Sequence, residues 1–362
     1  MALGAFAQGP AWVEALYVRG IGPWVAGVPN LLTRWLPFSL AEWVVVGLVL
    51  TGLGLGVAGA RAWWGGARPT GIGGLRFALW GVVLGFGVAD LFTVVWGLSY
   101  ARPPIEARLG WEGDLDDIAP GELEALARFL VDEVNDRYLA LHGSPDAFVP
   151  TAASEPWAAV DAAIDGGFVA WQARESLHPD VARPRGPAKR LLFSPITSWL
   201  RISGFFFPFT GEANVNQGPP DWQQPFTTAH EKAHQRFFAS ENEANFAGFL
   251  ACIHSDDAFV QYAGYLFAQR QVLRTMRRTD PLAFVEQIQR RLPGVQRDVN
   301  AAHAFWTGYQ GPVGDVSRAV NDAYLRANGV EGGVQSYGRS LQLIARYARE
   351  RAGRWPPAVE EM

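Results

Sequence analysis

Residues 227–252 read TTAHEKAHQRFFASENEANFAGFLAC and contain His230, Glu231 and His234 in the spacing HExxH. Residues four positions apart lie on one face of a helix, so both imidazoles can point at a single metal ion. Glu231 follows the first histidine directly, where its carboxylate can reach a water on the metal and take its proton. The spacing therefore predicts a helical zinc site of the kind that performs hydrolysis.

The residues around the motif predict two helices joined by a short turn. The threonines at 227–228 suit a helix start, and apolar residues carry this first helix to Ala239. Ser240 and Glu243 then have the spacing of a capping box, which opens the second helix.

The start of the second helix offers the third metal ligand. Glu241 and Glu243 are both candidates, and they point to different faces of the helix. Glu243 has an alternative role as the capping-box partner. Glu241 shares its face with Asn245, one turn on, whose side chain can hydrogen-bond a ligand histidine. We therefore favour one zinc per chain bound by His230, His234 and Glu241, with Glu243 as the alternative ligand.

The motif resembles that of the gluzincin metallopeptidases, in which Glu-x-x-Ala-Asp follows HExxH on a later helix. Residues 241–245 read ENEAN, with Asn245 at the position of that aspartate. Only six residues separate His234 from Glu241, so the chain must turn sharply around 238–240. The resemblance implies peptide-bond hydrolysis and an edge strand beside the HExxH helix that pairs with extended substrate.

We assign that strand role to Ala213 through Asn216, which makes Asn214 and Asn216 the candidate substrate contacts. The alternative is a structural hairpin, turning at Gly211, in which both asparagines satisfy their own turn. Glu212 is a further carboxylate that could approach the metal.

Zinc hydrolysis also needs a hydrogen-bond donor to the oxyanion, usually a tyrosine or a histidine. Most tyrosines on apolar helical faces are core residues, and this is the alternative for each candidate. The candidate donors are Tyr262, Tyr265, His254 and Tyr337.

Several longer stretches resemble a bacterial membrane-protein family catalogued only as a domain of unknown function, number 3810. They are LPFS (36–39), WGLSYARPP (96–104), PFTGEANVN (208–216), AHEKAHQRFFASENEANF (229–246) and SYGR (336–339). This resemblance extends over nearly the whole chain. It implies a membrane-anchored, zinc-binding protein similar to a metallopeptidase, without implying a substrate.

Two apolar stretches predict a transmembrane hairpin. Residues 43–60 contain no charge, and residues 77–98 contain one charged side chain, Asp90. The loop between them has three arginines and no acidic residue, so the positive-inside rule places it in the cytoplasm. We therefore expect a multi-pass protein of the cell membrane whose C-terminal domain is extracytoplasmic.

The expected fold is mainly α, with a small β-hairpin or edge strand in a mostly helical, gluzincin-like zinc domain. A membrane-proximal segment over 1–42 precedes the hairpin at 43–98. A linker rich in proline and aspartate follows over 99–121, and the zinc domain occupies 122–362.

Composition excludes nucleic acid as a partner and internal disulfides as a source of stability. A net charge of −4 over 362 residues provides no footprint for nucleic acid. The single cysteine, Cys252, excludes an internal disulfide. The expected partners are the lipid bilayer and a peptide or protein substrate.

These observations favour a membrane-anchored zinc metallopeptidase that acts on peptides or cell-envelope proteins. One alternative is a non-catalytic zinc-binding membrane protein that binds a partner, which Asn245 in place of aspartate favours. Another is a transporter component that uses Asp90 inside the second span. A catalytic zinc site keeps an open position, whereas a structural one has a fourth protein ligand. Access to the site therefore distinguishes the first two functions.

Overall fold

The computed structural model describes residues 10–65, 71–113, 115–327 and 338–351. The helices are α1 (Pro10–Trp12), α2 (Gly22–Thr33), α3 (Leu40–Trp64), α4 (Gly71–Val95), α5 (Ile105–Arg108), α6 (Pro120–His142), α7 (Trp157–Glu175), α8 (Ser194–Trp199), α9 (Gln224–Gln235), α10 (Glu241–Ile253), α11 (Ala258–Thr279), α12 (Pro281–Arg290), α13 (Pro293–Gly308), α14 (Pro312–Ala327) and α15 (Gly338–Glu350). A π-helical stretch, Val13–Ile21, joins α1 to α2. The mainly α fold is confirmed.

The strands form one small sheet in the order β1 (Lys189–Arg190), β3 (Glu212–Val215), β2 (Gly204–Phe207). β3 pairs in parallel with β1 and antiparallel with β2, so β3 is the central strand. The edge-strand role expected for Ala213 through Asn216 is therefore wrong, because both edges of β3 are already paired. Among the described strands, β2 is the edge that lies beside α9.

Helices α3 and α4 are long and apolar enough to cross a membrane, and almost all of their side chains are exposed. A helix that is apolar on all sides and uncovered by its own protein suits a lipid environment. Both helices coincide with the predicted spans, although the second ends at Val95 rather than at 98. Asp90 lies on an exposed face of α4, five residues before the end of the helix.

Carboxylates from the folded domain fix the start of α3. The Glu212 carboxylate accepts hydrogen bonds from the backbone N–H groups of Leu40 and Ala41, at 3.0 and 2.8 Å. Negative charge is stabilising there because the first N–H groups of a helix are unpaired and carry partial positive charge. Glu42 in turn accepts hydrogen bonds from the backbone of residues 192 and 193, just before α8. Glu212 therefore caps α3 and does not line the cleft at His230 and His234.

The stretch 99–121, predicted as a linker, is folded against the domain. Ile105 is buried in the main hydrophobic core. Arg102 donates to the Glu14 carboxylate at 2.9 Å and to the carbonyl of Phe237 at 2.9 Å. Since these contacts join the N-terminal segment to the turn after α9, this stretch packs as part of the folded domain.

Helices α9 and α10 lie at the centre of the domain, with α7, α11 and the sheet around them. Helix α10 is packed tightly against its neighbours through small residues. A Cβ atom at Gly167 of α7 would lie 1.9 Å from the carbonyl oxygen of Ala251 on α10. The adjacent Gly166 faces open space, with nothing within 4 Å of an added Cβ atom. Gly167 therefore has no room for a side chain, whereas Gly166 does.

We predict that Gly167→Ala lowers the free energy of unfolding by about 3 kcal/mol or more, because the new methyl group must displace backbone. Gly166→Ala is the matched control and is expected to leave stability unchanged or raise it, since alanine favours a helix. Thermal unfolding of the two purified variants in detergent measures the difference. Equal melting temperatures would contradict the close contact between α7 and α10.

Candidate metal centre

The HExxH residues lie on α9, as predicted, but this helix ends at Gln235 rather than continuing to Ala239. Phe237 adopts the left-handed conformation with φ 64°, which costs free energy for a residue with a side chain. Its ring is buried against Tyr17 and Trp96, and this packing offsets the cost. The sharp turn therefore begins at Phe237 and reverses the chain before α10.

Helix α10 begins at Glu241 with Ser240 at the N-cap position, but the expected capping box does not form. The Ser240 side chain makes no capping hydrogen bond within the described chain. Glu243 instead accepts from the backbone N–H of Ile105 at 2.9 Å and forms an ion pair with Arg108. It thus anchors α5 and points away from the histidines, which leaves Glu241 as the carboxylate beside them.

A close approach of the two helices brings the ligand groups together. A Cβ atom at Gly248 of α10 would lie 3.0 Å from the backbone nitrogen of His230, so glycine lets α10 lie directly against α9. Glu241 then reaches both histidines. Its carboxylate oxygens lie 3.3 Å from Nε2 of His230 and 3.8 Å from Nε2 of His234.

These separations fit a metal ion. Tetrahedral ligands at about 2.1 Å from zinc lie roughly 3.4 Å from one another. Ligand atoms of His230, Glu231 and His234 also lie within 4.8 Å of one another. Two imidazoles and one carboxylate are a donor set that zinc commonly takes in catalytic sites. His230, His234 and Glu241 are therefore the residues that would hold it.

A contact on the far side of the His234 ring sets its orientation. Nδ1 of His234 is 2.7 Å from the carbonyl oxygen of Phe238, so this nitrogen carries the proton and Nε2 keeps its lone pair for a metal. Asn245 lies beside His230 and, after Glu241 and Glu231, is one of the groups that raise the pKa of its imidazole. Nδ1 of His230 and Nδ2 of Asn245 are both buried without a hydrogen-bond partner among the described residues, so the role of Asn245 as an outer partner of a ligand histidine stays a prediction.

Charges at the site are arranged around an ion pair. Burial opposes protonation of His230, but the hydrogen bond to Glu241 and the charges of Glu231 and Glu241 raise its pKa to about 9. Burial would raise the pKa of Glu241, yet the same hydrogen bond and charge lower it to about 2. Burial and the charge on His230 lower the pKa of His234 to about 4. A protonated His230 thus supplies the positive charge that a divalent cation would bring.

Glu231 occupies the other side of the site. Burial raises the pKa of its carboxyl to about 8 against the opposing effect of His230. Gly204 of β2 lies so close that a Cβ atom there would be 2.9 Å from Oε1 of Glu231. The edge strand therefore runs directly past the carboxylate predicted to act on water.

A cleft of about 830 Å³ opens onto His230, Glu231, His234 and Glu241. One wall is the edge strand β2, and another is the α11 face that carries Ala263, Phe267 and Arg270. Trp96 follows α4 directly and forms part of the wall. Its indole contacts the ring of His234 edge-on, with 5.8 Å between centroids.

Several predicted site residues lie elsewhere, with their polar groups already used. Asn214 donates to the carbonyls of Phe205 and Glu212, and Asn216 to that of Ile202, which fits the alternative of a structural hairpin. Neither asparagine lines the cleft.

The candidate oxyanion donors are also core residues. Tyr262 donates a hydrogen bond to Asp298 at 2.7 Å. Burial raises the pKa of the Tyr265 hydroxyl, and the charge of Glu133 raises it further. His254 contacts the Leu250 carbonyl at 2.8 Å. None of the three is among the described residues that line the cleft, and Tyr337 lies outside the described residues. Tyr100 is the tyrosine found there instead.

A buried charge cluster that was not predicted holds α9 in place. Lys232, inside the HExxH motif, is fully buried and lies 2.9 Å from Asp161 and 2.8 Å from Asp165 of α7. Arg236 also pairs with Asp165, at 2.7 Å. A signal existed in the sequence, because Lys232 is one of only two lysines in the chain. The burial of Lys232, however, depends on the packing of α7 on α9 and is not visible in the sequence.

A family model described as "Protein of unknown function (DUF3810)" matches residues 17–345, and the chain belongs to this family. Searches of curated proteins and of solved structures find no match.

We predict that the purified full-length chain binds about one zinc ion, since His230, His234 and Glu241 form one donor set. His230→Ala and Glu241→Gln are expected to weaken zinc binding by more than about 100-fold. Removal of a residue that only hydrogen-bonds a ligand typically lowers metal affinity by less than that. Glu243→Gln carries the same substitution two residues away and should retain the metal. Elemental mass spectrometry measures the zinc content, and competition with a chelator measures the affinity. Zinc retained by Glu241→Gln and lost by Glu243→Gln would make Glu243 the third ligand.

Proposed function

We propose that this member of the DUF3810 family is a membrane-anchored, zinc-dependent metallopeptidase that hydrolyses peptides or cell-envelope proteins. The observation that carries the proposal is the cleft, because it opens directly onto the metal-ligand set and onto Glu231. A substrate entering the cleft would meet the histidines, Glu241 and the carboxylate together.

Access to the site favours catalysis over a structural zinc. A structural site is closed by a fourth protein ligand. Glu243, the carboxylate nearest in sequence to Glu241, is turned away by its contacts to Ile105 and Arg108. The remaining carboxylate, Glu231, faces the cleft, which is the position that a general base requires.

Zinc, when bound, would polarise the scissile carbonyl and lower the pKa of water. Glu231 takes a proton from the attacking water and delivers it to the amine that leaves as the peptide bond breaks. The raised pKa of this carboxyl, about 8 before a metal is bound, is in the range that such a proton transfer uses. Gly204 keeps β2 close enough to fix the position of Glu231.

The walls of the cleft would orient the substrate. The outer edge of β2 offers backbone groups to an extended peptide, which is the role first assigned to β3. Trp96 and Phe206 cover His234 and exclude water from that side. We assign the oxyanion contact to Tyr100, since it is the one tyrosine among the described residues of the cleft.

We predict that Glu231→Gln lowers the rate of peptide hydrolysis by about 100-fold or more, because glutamine cannot accept the proton. Zinc content should remain unchanged, since Glu231 is not in the ligand set. The assay uses the full-length protein in lipid nanodiscs with a library of internally quenched peptides. Glu124→Gln, which changes an exposed carboxylate on α6, is the control and should retain wild-type activity. Wild-type rates in Glu231→Gln would refute this mechanism.

A further inference from the structure

The charged groups of the cleft are distributed unevenly. Its carboxylates among the described residues, Glu231 and Glu241, both lie at the metal end. The rest of the lining carries three arginines and no acidic side chain within the described chain; they are Arg201, Arg270 and Arg318. The cleft beyond the metal site is therefore basic, although the whole chain has a net charge of −4.

Arg270 is a partly buried arginine of the cleft that has no carboxylate partner among the described residues. Arg102 and Arg236 each form an ion pair, with Glu14 and Asp165 respectively. Arg270 lies over the ring of Trp222, 5.6 Å from its centroid, and no ion pair or hydrogen bond joins it to a described residue. A largely buried cation without a counter-charge costs free energy, and a ligand that supplies the charge would recover it.

The surroundings of Arg270 increase that cost. Burial and the neighbouring Arg274 lower the pKa of Arg270 to about 10, so it stays charged at neutral pH. Arg291 is close enough for Arg270 to lower its pKa as well. Arg291 donates to the neutral amides of Gln269 and Gln296, and not to a carboxylate. Arg270 therefore lies beside two further arginines, and no ion pair joins any of the three to a carboxylate of the described residues.

The distance from the metal site follows from the helices. Phe226, one turn before His230 on α9, stacks on Phe267 of α11 with 3.5 Å between centroids. Trp222 lies beneath Arg270 in the short 3-10 helix Asp221–Gln223 that precedes α9. His230 follows Trp222 by eight positions, which corresponds to about 13 Å along the axis at the rises of a 3-10 helix and an α-helix. An extended peptide covers that distance in roughly three to four residues.

We propose that Arg270 is the anchor of a carboxylate subsite, which selects peptides carrying a negative charge three to four residues from the bond to be cut. The planar guanidinium binds a carboxylate through two parallel hydrogen bonds, and Trp222 holds its plane in place. The negative group is either the C-terminal carboxylate of a short peptide or an aspartate or glutamate side chain. This specificity rests on the proposed peptidase function, since it names the substrate class of the same cleft.

Binding to the zinc-loaded Glu231→Gln protein in nanodiscs tests the subsite without requiring turnover. The probes are dye-labelled octapeptides of neutral side chains with a free C-terminus, with an amidated C-terminus, and amidated with one glutamate placed at each position in turn. Fluorescence anisotropy gives their dissociation constants. We expect at least one carboxylate-bearing probe to bind tenfold or more tighter than the neutral amidated probe. The free-terminus and glutamate probes distinguish the two sources of charge.

Variants of Arg270 connect the preference to this side chain. Arg270→Gln should abolish it, Arg270→Lys should retain part of it, and Arg278→Gln, an exposed arginine on the same helix, should leave it intact. The melting temperature of Arg270→Gln is expected not to fall sharply, because only the contact with the Trp222 ring is lost and no ion pair or hydrogen bond to a described residue is broken. A preference that survives Arg270→Gln, or a melting temperature that falls sharply, would overturn the subsite.

The outcomes separate this proposal from the peptidase function. Wild-type hydrolysis of neutral and acidic peptides at equal rates would overturn the subsite and support the peptidase. A carboxylate preference in binding that disappears in Arg270→Gln would support the subsite even where no peptide is cleaved. In that case the absence of cleavage would count against the peptidase function and not against the subsite.

Discussion

The approach of His230 to Glu241 depends on two helices that lie almost in backbone contact. Glycine at position 248 permits the contact, and the left-handed Phe237 turns the chain tightly enough to begin α10 beside α9. The strain at Phe237 is held by aromatic packing that includes the N-terminal segment and the end of α4. The geometry of the candidate ligand set is thus maintained by residues far apart in the chain, none of which belongs to that set.

Carboxylates serve as connectors throughout the protein. Glu212 caps α3, Glu42 binds the start of α8, and Glu243 holds α5. In each case a charge is buried next to backbone N–H groups or an arginine, so its desolvation is compensated. Arg270 faces the cleft without an ion pair to a described residue, and Glu231 faces it with its burial only partly compensated by His230 and the backbone of Phe206. This contrast supports the cleft as the proposed substrate site.

The sequence was sufficient for features that depend on local periodicity. The mainly α fold, the two helices long enough to span a membrane and the α9–α10 pair follow from helical spacing and apolar length, which are visible within one segment. Asn245, one turn after Glu241, already favours Glu241 over Glu243 in the sequence, and the packing of α5 adds the contacts that turn Glu243 away. The central position of β3 is not visible in the sequence because its partner β1 has only two residues and no recognisable pattern. Tyr100 and Arg270 reach the cleft through tertiary packing that no local pattern describes.

Trp96 has a consequence for the proposed peptidase. It follows the last residue of α4 and contacts His234, so this long apolar helix ends at the wall of the cleft with no spacer between them. In the proposed membrane-anchored enzyme, with α4 as a span, the cleft could not move away from the lipid on a flexible linker, and substrates would have to come close to the headgroups. Removal of α4 together with Trp96 would also remove a wall of the cleft.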